Sequence, residues 1–430
     1  MYCKFCQHQN RNGANFCARC GRRLPKEETR KKWLIPTVCL LVAVIGVAML
    51  MARQGSTGGS ESTLPTPTPP KQETAKLCQV VPMYDGAVAA LYTDGTVRVS
   101  GNDALAETVS TWNKVTVLYD TIYSELCDGP LLAGITESGE VLTTAGPIPG
   151  FINVKELHFH WRGIVGVTHG GKVLTHGNWE NDTFFSSLTD VESLANMGDE
   201  WGCLKKDGSV VFNYDMSAYG VVWTNVKELR ASGHGFYAIM NDGTVASQFE
   251  LSCSGLTGAA KVVDFEDWLF GISPDGKLLT QSGGSIYTNT GDMRIDEPGL
   301  PYYGEEIDIR RYQQVADIIP FRGLILLNKD GTAEHIGANP CWDLSAWNHV
   351  RKVCGGSSGE GFTNLYSIQQ DGSVILNQYN WVDQTVTTNY RGWILKDIYA
   401  GNNGVVGLTT EGTLVGDGRY ADVDFSVFVR

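Results

Sequence analysis

The chain has 430 residues, 34 Lys and Arg against 47 Asp and Glu, and a formal net charge of −13; that length has room for about two or three domains of ~100 to 200 residues. The charge is unevenly divided: residues 1–32 hold nine basic and two acidic side chains, and the remainder holds 25 and 45. An acidic bulk excludes nucleic acid as the partner of the larger part, because duplex binding needs a basic footprint to neutralise phosphate.

At the amino terminus, four of the eleven cysteines stand as Cys3-x-x-Cys6 and Cys17-x-x-Cys20. So short a segment cannot bury a hydrophobic core, and two thiolate pairs on tight knuckles are a donor set that holds one zinc tetrahedrally. Four thiolates leave no position for a catalytic water, so the expected zinc is structural. Redox chemistry at C-x-x-C would need a βαβ context that is absent here. With its knuckles CKFC and CARCG, residues 1–28 resemble the short zinc ribbons that begin many bacterial membrane proteins.

Arg22, Arg23, Lys26, Arg30, Lys31 and Lys32 follow, and then Trp33 to Met51 runs without a charge. Such a run is close to the ~20 residues a helix needs to cross ~30 Å of hydrocarbon, so residues 33–52 are expected to span a membrane once. The Lys and Arg lie mostly before the span, which puts the ribbon in the cytoplasm and the rest outside the cell. Residues 53–76 are rich in Gly, Ser, Thr and Pro, the composition of a partly extended tether.

From Leu77 to Arg430 the sequence repeats itself. Nine tight-turn pairs end in glycine, at Asp94-Gly95, Ser138-Gly139, Gly170-Gly171, Asp207-Gly208, Asp242-Gly243, Asp275-Gly276, Asp330-Gly331, Asp371-Gly372 and Glu411-Gly412. Three residues before each pair stands an aliphatic residue, and two after each Gly comes Val or Leu, except Ala333. Asp-Gly between apolar runs predicts a β-hairpin. A second element precedes the hairpins, as in Trp112-x-x-Val115-x-x-Leu118, Phe151-x-x-Val154-x-x-Leu157, Trp223-x-x-Val226-x-x-Leu229 and Trp347-x-x-Val350-x-x-Val353, with looser forms at Val191, Val262, Val315 and Leu395. It predicts one further strand per unit. Units spaced by about 40 residues bury their faces only against neighbours, and closure into a ring protects their edges. The expected fold is all-β, a propeller of about 7–9 short blades over residues 77–430. Val423, Phe425, Val427 and Val429 alternate as a half-buried strand would and are expected to complete the first blade beside Val97.

The hairpin pattern, with Gly101-Asn102, Gly177-Asn178 and Gly337-x-Asn339 as its tail, resembles the repeats of the regulator of chromosome condensation family, in the short-blade form of its bacterial members. The resemblance implies a β-propeller. The family's later Gly-Gln-Leu-Gly segment is missing, so exchange activity on a small GTPase and histone contact do not follow.

No nucleotide loop, nucleophile elbow or H-E-x-x-H occurs, and no catalytic or cofactor-binding residue is assigned. His158 and His160 share a strand face and, with His169 or His176, are the only candidates for a second metal site; solvated or satisfied histidines are the simpler reading. The repeated Asp residues suit the turn itself. Cys78, Cys127, Cys203, Cys253, Cys341 and Cys354 are irregularly spaced and suit buried thiols or disulfides, with Cys341 and Cys354 the first pair to expect. The connections after the hairpins vary in length and carry aromatic residues, of which Trp179, Tyr302, Tyr303, Trp342, Tyr379 and Trp381 are the candidate partner contacts. A fourth strand in each connection would turn these loops onto the face opposite the Asp-Gly turns. The function expected is that of a bacterial single-pass membrane protein, not an enzyme, presenting an extracellular propeller to a protein or glycan; the alternative is an extracellular propeller hydrolase or lyase acting on a polysaccharide.

Overall fold

The computed structural model describes residues 75–121, 131–179, 183–214, 222–232, 235–248, 253–265, 268–289, 292–295, 305–337, 342–358 and 362–429. The expected zinc ribbon with Cys3, Cys6, Cys17 and Cys20, the span at 33–52, and all but the last two residues of the linker lie outside them. Among the described residues no helix is long and apolar enough to cross a membrane.

Each of the nine glycine turns closes a hairpin, and the strand before each hairpin pairs antiparallel with its first arm. In the first unit the strands are Leu77–Pro82, Val88–Tyr92 and Val97–Ser100; in the third, Val154–His160, Gly163–Thr168 and Val173–Gly177. The middle strand is buried on both faces because its alternate residues enter different cores. Leu132 packs towards the first unit, whereas Leu131, Ala133 and Ile135 pack towards the third.

Those cores show that the ring closes. Nine apolar clusters occur among the described residues, and each draws on two consecutive units. Leu91, Val97 and Val99 of the first unit meet Trp112, Val115 and Leu118 of the second. The ninth cluster joins Val406, Leu408 and Leu414 of the last unit to Val88, Ala90 and Tyr92 of the first. Nine units with nine shared cores make a nine-bladed propeller. Each fully buried aliphatic or aromatic side chain adds about 1.5–3 kcal/mol, so blades that cannot bury a face alone are held by their neighbours.

The repeated glycine locks one blade to the next. Its φ is positive, for instance +76° at Gly95 and +86° at Gly331, and a Cβ there would stand 2.6 Å from the Lys114 Cα or 2.5 Å from the His349 Cα of the next blade. Its carbonyl accepts the first amide of the following blade, from Val115 to Gly95 (3.0 Å) through Leu395 to Gly372 (2.7 Å). Only glycine permits both the turn and the approach. Seven interfaces share this bond among the described residues, and at an eighth the Gly243 carbonyl accepts instead from Gly258, ahead of the strand Lys261–Phe265; the ninth turn, at Gly412, has nothing within 4 Å of a Cβ position.

The structure corrects the expected carboxy-terminal strand. Phe425–Phe428 is a 3-10 turn, capped by Asp424, whose side chain accepts from Ser426 N. It does lie beside the first blade, where Arg98 and Ser100 donate to the carbonyls of Val427 and Asp424. Phe428 sinks into the closing core and Tyr92 Oη donates to its carbonyl at 2.7 Å. It takes the place that Trp112, Phe151 and Trp347 hold at earlier interfaces. The Asp-x-Ser cap and this anchor outweigh the alternating pattern.

A fourth strand, which would turn the connections onto the face opposite the Asp-Gly turns, is present among the described residues in the eighth blade. There Val350–Ser358, Phe362–Gln369 and Ser373–Asn380 are followed by Thr385–Gly401, whose first part pairs with Ser373–Asn380 and whose remainder opens the ninth blade. Elsewhere short helices such as Asp103–Val109 and Thr183–Ser187, or turns, make the connection. A separate small sheet, Ile286–Asn289, Asp292–Ile295 and Glu305–Ile307, is inserted after the sixth blade. Cys354 is a free thiol, one of the two alternatives left open for it, and Cys341 lies outside the described residues. Burial pushes the Cys354 thiol up to about 11 and the Cys203 thiol up to about 12, so neither is a thiolate at neutral pH.

Candidate functional site

Two corners of the ring pair a tryptophan with an arginine on the face opposite the Asp-Gly turns, where the first two strands of each blade reverse. In the third blade the reversal at Trp161 and Arg162 puts the guanidinium 4.8 Å from the Trp161 ring centroid. Arg162 also meets Asp199 of the fourth blade at 3.2 Å. Behind them His160 is buried, with its ring 5.3 Å from Trp179 and 5.9 Å from Trp201. Burial lowers the pKa of His160, which keeps it neutral against the opposing pull of Asp199. Its Nδ1 accepts from the Arg162 amide at 3.3 Å.

The second corner joins the seventh and eighth blades. Phe321 of the seventh lies over the eighth at Gly355, where a Cβ would be 2.2 Å from the ring, so only glycine admits it. Phe321 stacks on Trp342 at 6.3 Å, Trp342 meets Tyr379 edge-on at 6.3 Å, and Tyr379 meets Trp381 edge-on at 4.8 Å. The row runs from the core to the surface. Trp381 Nε1 donates to the buried Thr363 Oγ1 at 2.8 Å, and the Arg322 guanidinium sits 5.3 Å from the Trp381 ring. Asn380 shapes the loop beyond, accepting from Val382 N at 2.8 Å and donating to Asp383 Oδ2 at 2.8 Å. Burial lowers the pKa of His335, whose Nε2 stands 3.0 Å from the Arg322 carbonyl oxygen.

A polar network stiffens the same blade. Trp347 Nε1 donates to Asn377 at 3.1 Å, Gln378 donates to Asn364 at 3.0 Å, and Tyr366 donates to Asp417 at 2.9 Å. Arg391 closes the network on Asp417. Buried hydrogen bonds favour one geometry, and these tie the hairpin from Ser373 to Ile394 to its neighbours, although Arg391 Nε has no partner.

The candidate contacts separate by burial. Trp381 is 37 % exposed at the surface end of the row, whereas Trp342 and Tyr379 are each 4 % exposed and belong to the core between the seventh and eighth blades. Those two are corrected to packing residues: the rings wedge between blades, where they are worth more buried than offered to a partner. Trp179 is partly buried and packs edge-on against Phe185 and Trp201. Tyr302 and Tyr303 lie outside the described residues. Arg322 and Val382 were not among the expected contacts, although Val382 is 85 % exposed; Tyr390, an aromatic of the same connection, is 75 % exposed. The signal for them was legible: Asn380-Trp381-Val382-Asp383 separates two β-favouring runs, SVILNQY and TVTTNY.

The other chemistry considered from the sequence is not assembled. His158 pairs with Glu156 at 2.5 Å and His160 lies against Asp199 at 3.4 Å; among the described residues no three His, Cys, Asp or Glu side chains are placed to hold a metal ion. The turn aspartates bond within their own turns, Asp207 accepting from Ser209 N at 2.9 Å and Asp242 from Thr244 N at 2.9 Å. Those bonds hold their carboxyls below the usual range.

No family model matches the sequence, and neither does any curated protein. Among solved structures the chain is similar to the CRINKLY WD40 ectodomain of the Arabidopsis thaliana receptor kinase ACR4, with 11 % identity over 80 % of this chain and 96 % of that one and a TM-score of 0.33. It is also similar to BamB from Moraxella catarrhalis, with 14 % identity over 80 % and 96 % and a TM-score of 0.32. Prp20p from Saccharomyces cerevisiae is 14 % identical over 76 % and 82 %, with a TM-score of 0.29. Likeness at this level carries no argument about what this chain binds; its architecture rests on the nine shared cores.

Proposed function

We propose that this protein is a membrane-tethered binding module, not an enzyme, whose propeller engages a protein or glycan outside the cell through the corner between its seventh and eighth blades. The zinc ribbon formed by Cys3, Cys6, Cys17 and Cys20 is its structural cytoplasmic domain, and residues 33–52 are its anchor. One observation carries the reading: Trp381, Val382 and Tyr390, all exposed large hydrophobics, lie along one hairpin, the first two at its tip and Tyr390 opposite Ile375. Exposed apolar groups scattered singly need no explanation, but a patch on a rigid support marks an interaction surface. Trp and Tyr give rigid contact area, and Arg322 beside Trp381 gives polar contacts at its edge.

A photo-crosslinking residue placed at Val382 in living cells tests it, with the same residue at Val222, which is 81 % exposed on a different connection, as the control. An adduct from position 382 that Trp381→Ala removes is the expected result. Equal adducts from both positions, or none from 382, would overturn the reading.

A further inference from the structure

The hairpin that carries the proposed surface also ends the eighth blade in an edge unlike those of its neighbours. Outer strands elsewhere run three to five residues, such as Val141–Thr143, Val210–Phe212 and Val173–Gly177. The eighth blade instead ends in the segment from Thr385 to Ile394, which pairs with Ser373–Asn380 on one side. Its burial pattern is exposed almost throughout.

The ladder register fixes which amides face outward. At the equivalent turn of the first blade Tyr92 N donates to Thr96 O, so counting from Asp371-Gly372 places the bonded pairs of the middle and third strands at Ile375, Asn377 and Tyr379. In an antiparallel ladder the alternate residues bond to the other side. Val374, Leu376, Gln378 and Asn380 thus bond to Arg391, Asn389, Thr387 and Thr385. Val386, Thr388 and Tyr390 are left with amide and carbonyl directed away from the ring, and among the described residues no backbone bond is made by them on that side.

Proteins protect such edges with Lys, Pro, bulges or brevity. From Gln384 to Tyr390 there is no charge and no proline, and the one basic residue that follows, Arg391, turns back to Asp417. We propose, building on the binding-module reading, that this edge takes up an extended segment of another protein as a fifth strand of the eighth blade. The outward row of amides favours polypeptide over glycan, since only a peptide backbone repeats donor and acceptor at the strand spacing. Charge favours a different protein over a second copy: two chains of net charge −13 would meet across an edge with no opposite charges to pair. The incoming strand is uncharged or basic, with β-branched or aromatic residues at alternate positions to lie against Val386 and Tyr390.

The probe is a phage-displayed library of random linear peptides selected on the full-length chain. Thr388→Pro removes one outward donor and leaves the ladder to Gln378 and Leu376 intact, since proline is tolerated on an edge whose N–H faces solvent. Selected peptides should bind Thr388→Pro about tenfold more weakly or worse, with an unchanged melting temperature, and should protect the amides of Val386, Thr388 and Tyr390 from hydrogen exchange. Failure to select peptides, or equal binding to Thr388→Pro, overturns strand addition. Should Thr388→Pro prove misfolded, Tyr390→Lys, which places a charge on the same edge, replaces it. If the Val382 adduct persists in Thr388→Pro and is lost in Trp381→Ala, the corner binds by its side chains and only the strand proposal fails; if neither change affects it, the binding-module reading fails with it.

Discussion

The third-blade and eighth-blade corners use the same pair, an arginine over a tryptophan, to opposite ends. At the third blade Trp179 and Trp201 flank His160, Phe185 packs against both tryptophans, and Arg162 is tied to Asp199, so that Trp161, 48 % exposed, stands out alone. At the eighth the aromatic row leads outward, from Phe321 through Trp342 and Tyr379 to Trp381, and continues into a hairpin with Val382 and Tyr390 exposed. An aromatic-rich loop is therefore not a binding surface by composition. What sets the eighth-blade corner apart is the hairpin that continues from its last exposed ring.

Substitutions at the two corners should separate stability from binding. The largest effect is expected for Trp201→Ala, which empties a site only 1 % exposed and should cost about 3–5 kcal/mol of stability by urea denaturation, with partner crosslinking from Val382 unaffected in the folded fraction. Trp381→Ala should cost about 1–2 kcal/mol of stability, because its ring is part exposed and keeps one edge-on contact; binding of the partner should fall by about 2 kcal/mol or more, roughly thirtyfold. A larger stability loss at Trp381 than at Trp201 would reverse the comparison.

The third-blade corner should also carry a pH signature. Burial lowers the folded-state pKa of His160, so the unfolded chain binds a proton that the folded chain resists. The contribution is present above the ordinary histidine value of about 6.5 and is lost as pH falls towards the folded value. Denaturation midpoints taken on either side of that value should decline on acidification, less so in His160→Phe; an identical slope in the two proteins would contradict it. The smallest effects are those of Arg162→Ala and Arg322→Ala, each removing an exposed cation–π contact of about 0.5–1 kcal/mol. Only Arg322→Ala should weaken the Val382 adduct.

Much of the ring could be read before its structure. The nine glycine pairs located the hairpins because a reversal of this kind needs positive φ in fixed register with the apolar alternation on both sides. The Trp-x-x-Val-x-x-Leu elements located the first strands, including the looser forms at Val191, Val262, Val315 and Leu395. Where local pattern and tertiary context disagreed, context prevailed. The alternation of Val423 to Val429 reads as a strand, yet the segment curls because Asp424 caps a turn and Phe428 has a core to enter. Trp342 and Tyr379 resemble Trp381 in the sequence, and only their place in the core shared by the seventh and eighth blades leaves two buried and one part exposed.

The amino-acid sequence by itself determined the repeat, the hairpin positions and the all-β class, since turn chemistry and period-two burial are local properties of the chain. Tertiary structure decided the number of blades that close, the one fourth strand among the described residues and the exposure of Trp381, Val382 and Tyr390 along it. Closure depends on the last blade meeting the first across more than 300 residues, as Tyr92 and Phe428 do at |i−j| = 336. The exposure of an edge depends on whether a neighbouring strand lies beside it, and neither property is carried by any one segment.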